Sequence, residues 1–381
     1  MSAPKRTTLA TIPFELVCKH VLVRVRVNQS RPLPFILDTG DKLAIIDLDR
    51  ARELGLSFHG EVKGAGAGAA VVTGFLVEGA SLTVPGLDGF AQPVPLAFPL
   101  RALAGALGSD IDGIFGIDFL QEFVAELDYQ AGLLRLHEKS GFQYSGSGES
   151  IPIELDSNGH PTVIAEVTPS GGEPLSARFL LDIGSSASLA LHGPFVAEHQ
   201  LLGPTVKTIR AVGGSGVGGQ LQARIGRVQE LKIGKFRMAL PLTFFSQDTA
   251  GAFARTDVEG NLGEQILSRF TVILDFDRRR LILEPNRTFD QPFDHPFTGF
   301  VLESDGPDHR TFRIADVLED SPASEAGIQI GDRLRAVDGR PAAEKSLSEH
   351  VDMFERPESF DLELERGDAT VRVVLRPRQL V

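Results

Sequence analysis

The chain has 381 residues, 42% of them hydrophobic and 23% charged, with a formal net charge of −13. That length can form two or three ordinary cores, and the composition is globular rather than disordered. The acidic balance argues against a nucleic-acid partner, which needs clustered Lys and Arg, and no apolar run approaches the roughly 18 residues of a membrane span.

Met1-Ser-Ala-Pro-Lys-Arg6 runs into the first strand without the apolar stretch of a secretory signal. A cytoplasmic location is therefore favoured, with a periplasmic one left open should a further segment precede it. The single cysteine, Cys18, excludes an internal disulfide. It stands near His20 on a predicted strand with no third orienting group, so thiol catalysis is not expected. Val21-Leu-Val-Arg-Val-Arg-Val27 alternates apolar and charged residues, the pattern of a half-buried strand, and Asn28 to Pro34 reads as a turn. Next comes Phe35-Ile-Leu-Asp38-Thr-Gly40, an apolar strand ending in an acid and a glycine. A short helix is expected from Asp49 to Leu54, followed by the Gly-rich Gly64-Ala-Gly-Ala-Gly68 and by Asp112-Gly-Ile-Phe-Gly116. Phe123-Val-Ala-Glu-Leu-Asp128-Tyr and the hairpin through Leu133-Leu-Arg-Leu-His complete this stretch.

The same series then repeats. Thr11-Ile-Pro-Phe-Glu-Leu16 returns as Ser150-Ile-Pro-Ile-Glu-Leu155 at an offset of 139, and Phe179-Leu-Leu-Asp182-Ile-Gly184 follows the first acid motif by 144 positions. A helix is expected from Phe195 to Gln200, and Gly213-Gly-Ser-Gly-Val-Gly-Gly219 supplies the second Gly-rich stretch. Glu259-Gly-Asn-Leu-Gly263 and Phe270-Thr-Val-Ile-Leu-Asp275-Phe both return at an offset of 147. Features kept in one order at nearly constant offset indicate a duplication of roughly 145 residues, far longer than a solenoid period. An isolated Asp-Thr-Gly is usually a surface turn; the duplication makes it a candidate site. The two acids Asp38 and Asp182 are expected to meet across an internal two-fold axis, with Gly40 and Gly184 allowing the backbone to turn sharply. Two carboxyls sharing one site cannot both ionise, so one can act as general base on water while the other donates a proton. Asp128 and Asp275 end apolar strands and are expected to satisfy turn amides. Neither Gly-rich run is followed by the residues of a phosphate-binding loop, and the nine histidines show no ligand spacing, so no metal or other cofactor is expected.

These residues resemble the aspartic proteases of the retropepsin and pepsin type, in particular two-lobed bacterial members carrying a C-terminal PDZ domain. The resemblance implies a mainly β, bilobal, duplicated β-barrel fold followed by an α+β PDZ domain, with lobes at 1–145 and 146–288 and the PDZ domain at 289–381. It assigns catalysis to Asp38 and Asp182, and support of the active loops to Thr39, Gly40, Gly184 and Ser185. Ile114-Phe115-Gly116 and Asn261-Leu262-Gly263 would be the strands threaded behind those loops, and the Gly-rich runs the flap tips, here without a flap tyrosine. Three departures stand out: Ile183 where the family has Thr or Ser, Asp41 where it has Ala or Ser, and Asn261 where it has an apolar residue. Support of the dyad would then rest on Thr39 alone, and the extra carboxylate would raise the working pH.

In the last ninety residues, Ile314-Ala-Asp-Val-Leu-Glu-Asp-Ser-Pro-Ala323, Ala326-Gly-Ile328, Gly331-Asp332 and Ala336-Val-Asp-Gly339 carry the PDZ resemblance. Pro285 to Pro296 reads as a linker, and Thr298, Gly299 and Phe300 stand where a carboxylate-binding loop belongs. Leu347, Val351 and Phe354 would line the groove. Arg366-Gly-Asp368 lies between two strand-like runs and reads as a hairpin turn. The expected function is an aspartic endopeptidase acting on a peptide or protein, with the C-terminus of a polypeptide as the PDZ ligand. A monomer would suffice, since one polypeptide carries both acids. The alternative is a peptide-binding adaptor that keeps the protease fold without its activity.

Overall fold

The computed structural model describes residues 8–68, 70–204, 206–211, 215–216, 218–293 and 297–381. The N-terminal hexapeptide, Gly213, Gly214 and Val217 of the second Gly-rich run, and the linker's end at Pro296 lie outside them.

The first lobe opens with three antiparallel strands, Thr8–Val17, His20–Val27 and Leu33–Leu37. In the second of these Val21, Val23, Val25 and Val27 are buried while Arg24 and Arg26 are exposed, the period-two pattern of a strand with one wet face. Cys18 does not lie on a strand: with Lys19 it forms the two-residue turn between the first two, both at positive φ (45° and 68°), as the twist of a tight hairpin requires. Strand Gly113–Phe115 then runs parallel to Leu33–Leu37, pairing Phe115 with Leu37, and antiparallel to Ile45–Asp47. Asp47 caps helix Leu48–Glu53 by accepting from the Arg50 amide.

The second lobe repeats this register. Leu175–Leu181 runs parallel to Gly260–Leu262, which pairs antiparallel with Leu189–Leu191, and Leu181 stands opposite Leu262. Helix Gly193–Glu198 begins two residues before its expected start because Pro194, with no amide hydrogen to satisfy, suits a first helical turn. The lobes join edge to edge: Val124–Asp128 pairs antiparallel with Phe270–Asp275, so one sheet crosses the boundary. Asp128 accepts from the Ala131 amide and pairs with Arg135; Asp275 accepts from the Arg278 amide and pairs with Arg280. Both acids thus serve turns, away from the loops of Asp38 and Asp182. One continuous apolar core, including Phe35, Phe115, Phe179 and Leu283, fills both lobes.

Residues from 300 onward form a separate six-stranded sheet with its own core around Phe312, Ile314, Leu347 and Leu364. Ser321 and Ser346 form capping boxes at the starts of helices Pro322–Glu325 and Leu347–Phe354. Gly367, at φ 59°, turns the backbone between Phe360–Arg366 and Ala369–Leu375, and Arg366 binds Asp332 at 2.7 Å. This unit packs on the first lobe. The Cys18 amide donates to Ser348 Oγ (3.0 Å), and Lys19 reaches Asp352 (3.4 Å) on helix Leu347–Phe354 and Glu355 (2.9 Å) at its C-cap. The strained hairpin tip is thereby held from outside its own lobe.

Candidate active site

Each acid loop leaves the end of a buried strand and is fixed by the strand threaded behind it. The Asp38 amide donates to the Phe115 carbonyl and the Asp182 amide to the Leu262 carbonyl, both at 3.0 Å. Identical backbone anchors at equivalent positions put the two carboxyls face to face. Gly40 and Gly184 show how closely: a β-carbon on Gly184 would stand 2.1 Å from Asp38 Cγ and 2.3 Å from both its oxygens, and one on Gly40 would stand 3.3 Å from Asp182 Oδ1. Neither glycine has positive φ. Both lie in turns, as expected, but without left-handed backbone; what the glycines supply is space for the opposing carboxylate.

The loops are braced unequally. Thr39, fully buried, donates its hydroxyl to the Leu181 carbonyl and accepts from the Ile183 amide at 2.9 Å. At the equivalent place Ile183 has no hydroxyl and packs into the core, 1% exposed. The Gly40 amide donates to Asp38 Oδ1 at 2.7 Å. The Ser185 amide donates to the Asp182 carbonyl at 3.2 Å and, with the Gly184 amide, also favours the ionised Asp182 carboxyl.

By its pattern Asn261 is a weakened apolar position. Instead its amide nitrogen donates to Asp182 Oδ2 at 2.6 Å, while its oxygen faces His192 Nε2 at 2.8 Å. His192 is 1% exposed and lies edge-on to Phe253, and burial lowers its pKa. The departure from an apolar residue at 261 is the visible signal; its partner at 192 carries none.

Burial pushes both Asp38 and Asp182 upward. For Asp182 the charge of Asp38 adds to burial and carries it to about 8. For Asp38 the Gly40 amide, His160 and a hydrogen bond with Asp182 work in the opposite direction, as the Asn261 side chain and the Ser185 and Gly184 amides do for Asp182. Asp41 is a third acid of the cluster, pushed to about 8 by burial and by the charges of Asp38 and Asp182. His160 is itself held by Asp156 at 3.0 Å, and Asp156 also binds Arg255 at 2.6 Å.

The two Gly-rich segments touch across the lobes, the Ala70 amide donating to the Gly218 carbonyl at 2.9 Å. Neither tyrosine is near: Tyr129 packs on Phe14, and Tyr144 binds Glu284. Cys18 is no nucleophile, since burial drives its thiol up to about 12. Among the described residues no group of three or more His, Cys, Asp or Glu is arranged to hold a metal ion, and no helix is long and apolar enough to cross a membrane.

In the C-terminal unit, Thr298 and Gly299 turn their carbonyls inward to the Ala323 and Leu318 amides, and Gly299 (φ 83°) packs against Ser321. Strand Phe300–Asp305 is the outer strand of its sheet, and Phe300 meets Phe354 edge-on at 5.3 Å. A groove between that strand and helix Leu347–Phe354 would start at residues 298–300. Its far end is occupied by the first lobe: Ser304 donates to the Gly105 carbonyl at 3.2 Å, and Gly108 abuts Leu347.

Residues 23–119 match the aspartyl protease family model, and residues 313–366 match the PDZ domain model. No curated protein matches this sequence. The protein therefore carries a retropepsin-like aspartyl protease domain followed by a PDZ domain.

Proposed function

We propose that the protein is an aspartic endopeptidase in which Asp38 and Asp182 activate one water, within two lobes at 1–145 and 146–288, and in which the PDZ domain at 289–381 binds or positions substrate C-termini. The observation that carries this reading is the mutual approach of the two acid loops, each glycine set against the opposing carboxylate. In this reading Asp38 is the ionised member and takes a proton from water, and Asp182, neutral, donates to the scissile carbonyl. A carboxyl whose pKa lies near 8 keeps its proton at neutral pH, so the single-proton dyad persists there and the working range extends above the strongly acidic one. The touching Gly-rich tips must part to admit a peptide, a motion that glycine backbones permit.

The test is cleavage of an unfolded protein from roughly pH 3 to pH 8 by wild type, Asp38→Asn and Asp182→Asn. Turnover lost in both variants supports the dyad; equal turnover in all three refutes it. Ile183, which leaves the brace one-sided, favours a second reading, a peptide-binding adaptor without turnover. That reading requires an inert wild type and unchanged peptide affinity in Asp38→Asn.

A further inference from the structure

The two lobes differ at one pair of equivalent positions in a way that compensates for another difference. In the first lobe the threaded strand presents Ile114, and the residue whose amide reaches back to that strand's lead-in is Asp47, bonded to the Asp112 carbonyl at 2.8 Å. In the second lobe the corresponding residues are Asn261 and His192, the latter bonded to the Glu259 carbonyl at 2.9 Å. Ile114 packs among Ile45, Phe98 and Leu100. Asn261 instead points its amide nitrogen at the acid of its own lobe. The polar pair occurs in the lobe whose loop lacks the bracing hydroxyl.

We infer that Asn261, oriented by His192, is the positioning residue of Asp182 and fixes which of its oxygens carries the proton. The inference rests on the dyad reading above. An asparagine amide can be turned end for end; in the neutral tautomer with hydrogen on Nε2, His192 donates to Asn261 Oδ1 across 2.8 Å and so commits the amide nitrogen to Asp182 Oδ2. An oxygen that already accepts this short bond is a poor place for a proton. The proton goes to Oδ1, the oxygen facing the first loop, 3.3 Å from where a β-carbon on Gly40 would stand. From there it can bond Asp38 at rest and be given to a substrate carbonyl during turnover.

Several charged groups face this carboxyl. Asp38 and Asp41 come from the first loop, and His160 stands beside Asp38. Arg255 acts on His192. Asn261 donates to Asp182 from its side chain, and the Ser185 and Gly184 amides also favour the ionised carboxyl. Removing the Asn261 donor weakens the ionised form of Asp182.

Asn261→Ile places the first lobe's residue in the second, and His192→Phe keeps a ring against Phe253 while removing the donor that orients the amide. The 13Cγ signal of Asp182, identified by its loss in Asp182→Asn, is followed against pH in the three proteins, alongside the pH profile of cleavage. The midpoint for Asp182 is expected to rise by about one pH unit or more in Asn261→Ile, the worth of a hydrogen bond to a charged group, and by less in His192→Phe. The upper limb of the cleavage profile should move with it. An unchanged midpoint in both variants overturns the inference, even if melting temperatures fall. The titration needs no turnover, so an inert wild type would refute the endopeptidase reading while leaving the Asn261 contact separately decided.

Discussion

Replacing Gly184 by alanine should cost far more activity than the same change at Gly40, although the two are equivalent by sequence. A β-carbon at 184 would lie 2.1 Å from Asp38 Cγ, whereas ordinary contact begins near 3.4 Å. The loop and the carboxyl must separate by more than 1 Å. Asp38 cannot simply swing aside, because the Gly40 amide holds one of its oxygens at 2.7 Å and its own amide is tied to Phe115. At Gly40 the nearest atoms would be Asp38 Oδ1 at 3.0 Å and Asp182 Oδ1 at 3.3 Å, which a few tenths of an ångström would relieve. A misplacement of about 1 Å in a catalytic pair costs on the order of 100-fold, or about 2.7 kcal/mol in the barrier. Gly184→Ala should therefore lower kcat/KM on an unfolded protein by roughly 100-fold or more, and Gly40→Ala by less than about 10-fold. Thermal melts of both variants would separate local displacement from unfolding. Equal activity in the two variants, with both folded, would refute the claim that the carboxylates sit this close.

Thr39→Val removes the hydroxyl that serves both the Leu181 carbonyl and the Ile183 amide. Two buried backbone groups left without a partner should destabilise the protease lobes by roughly 1–3 kcal/mol each, read as a lower Tm, while Thr39→Ser should stay near wild type. The carboxyls of Asp182 and Asp41 rise from 3.8 unfolded to about 8 folded, so the folded state holds more protons between those values. Their contribution to stability is fully present below pH 3.8 and is lost as pH climbs through about 8. Asp41→Asn should flatten this decline by up to roughly 1.4 kcal/mol per pH unit, and a wild-type Tm that rises from pH 5 to pH 8 relative to this variant would contradict it. Lys19→Ala removes ion pairs to Asp352 and Glu355 that help seat the first lobe on the PDZ domain. A labelled peptide with a free apolar C-terminus should then bind a few-fold more tightly by fluorescence anisotropy, since such pairs are worth about 1 kcal/mol at most.

The protease and PDZ resemblances were legible because they are written as local patterns: an acid and glycine after an apolar strand, twice, and a run of turn and core residues near the C-terminus. What escaped was set by contacts between distant segments. Asn261 looked like a loss of hydrophobic pattern because its partners, Asp182 and His192, are 79 and 69 positions away. Gly40 and Gly184 lie in turns as their sequence suggests, but the space they leave for the opposing carboxylate could not be read because that carboxylate belongs to the other lobe. Cys18 looked like a strand residue because apolar and β-branched neighbours surround a turn of only two residues, whose left-handed backbone no composition signal marks. The packing of residues 105–108 on the PDZ domain joins surfaces that neither domain's own periodicity describes.

The antiparallel pairing of Val124–Asp128 with Phe270–Asp275 has a consequence for how this site can change. In an assembly of two identical subunits every substitution arrives twice, and a loop that lost its hydroxyl would lose it on both sides of the axis. Here both halves lie on one polypeptide and share that sheet by hydrogen bonding, so each can vary alone: threonine can stay at 39 while isoleucine stands at 183, and an amide can be recruited at 261 with none at 114. Symmetry then survives as scaffold, in backbone register, while the chemistry of the two acids is individually adjustable.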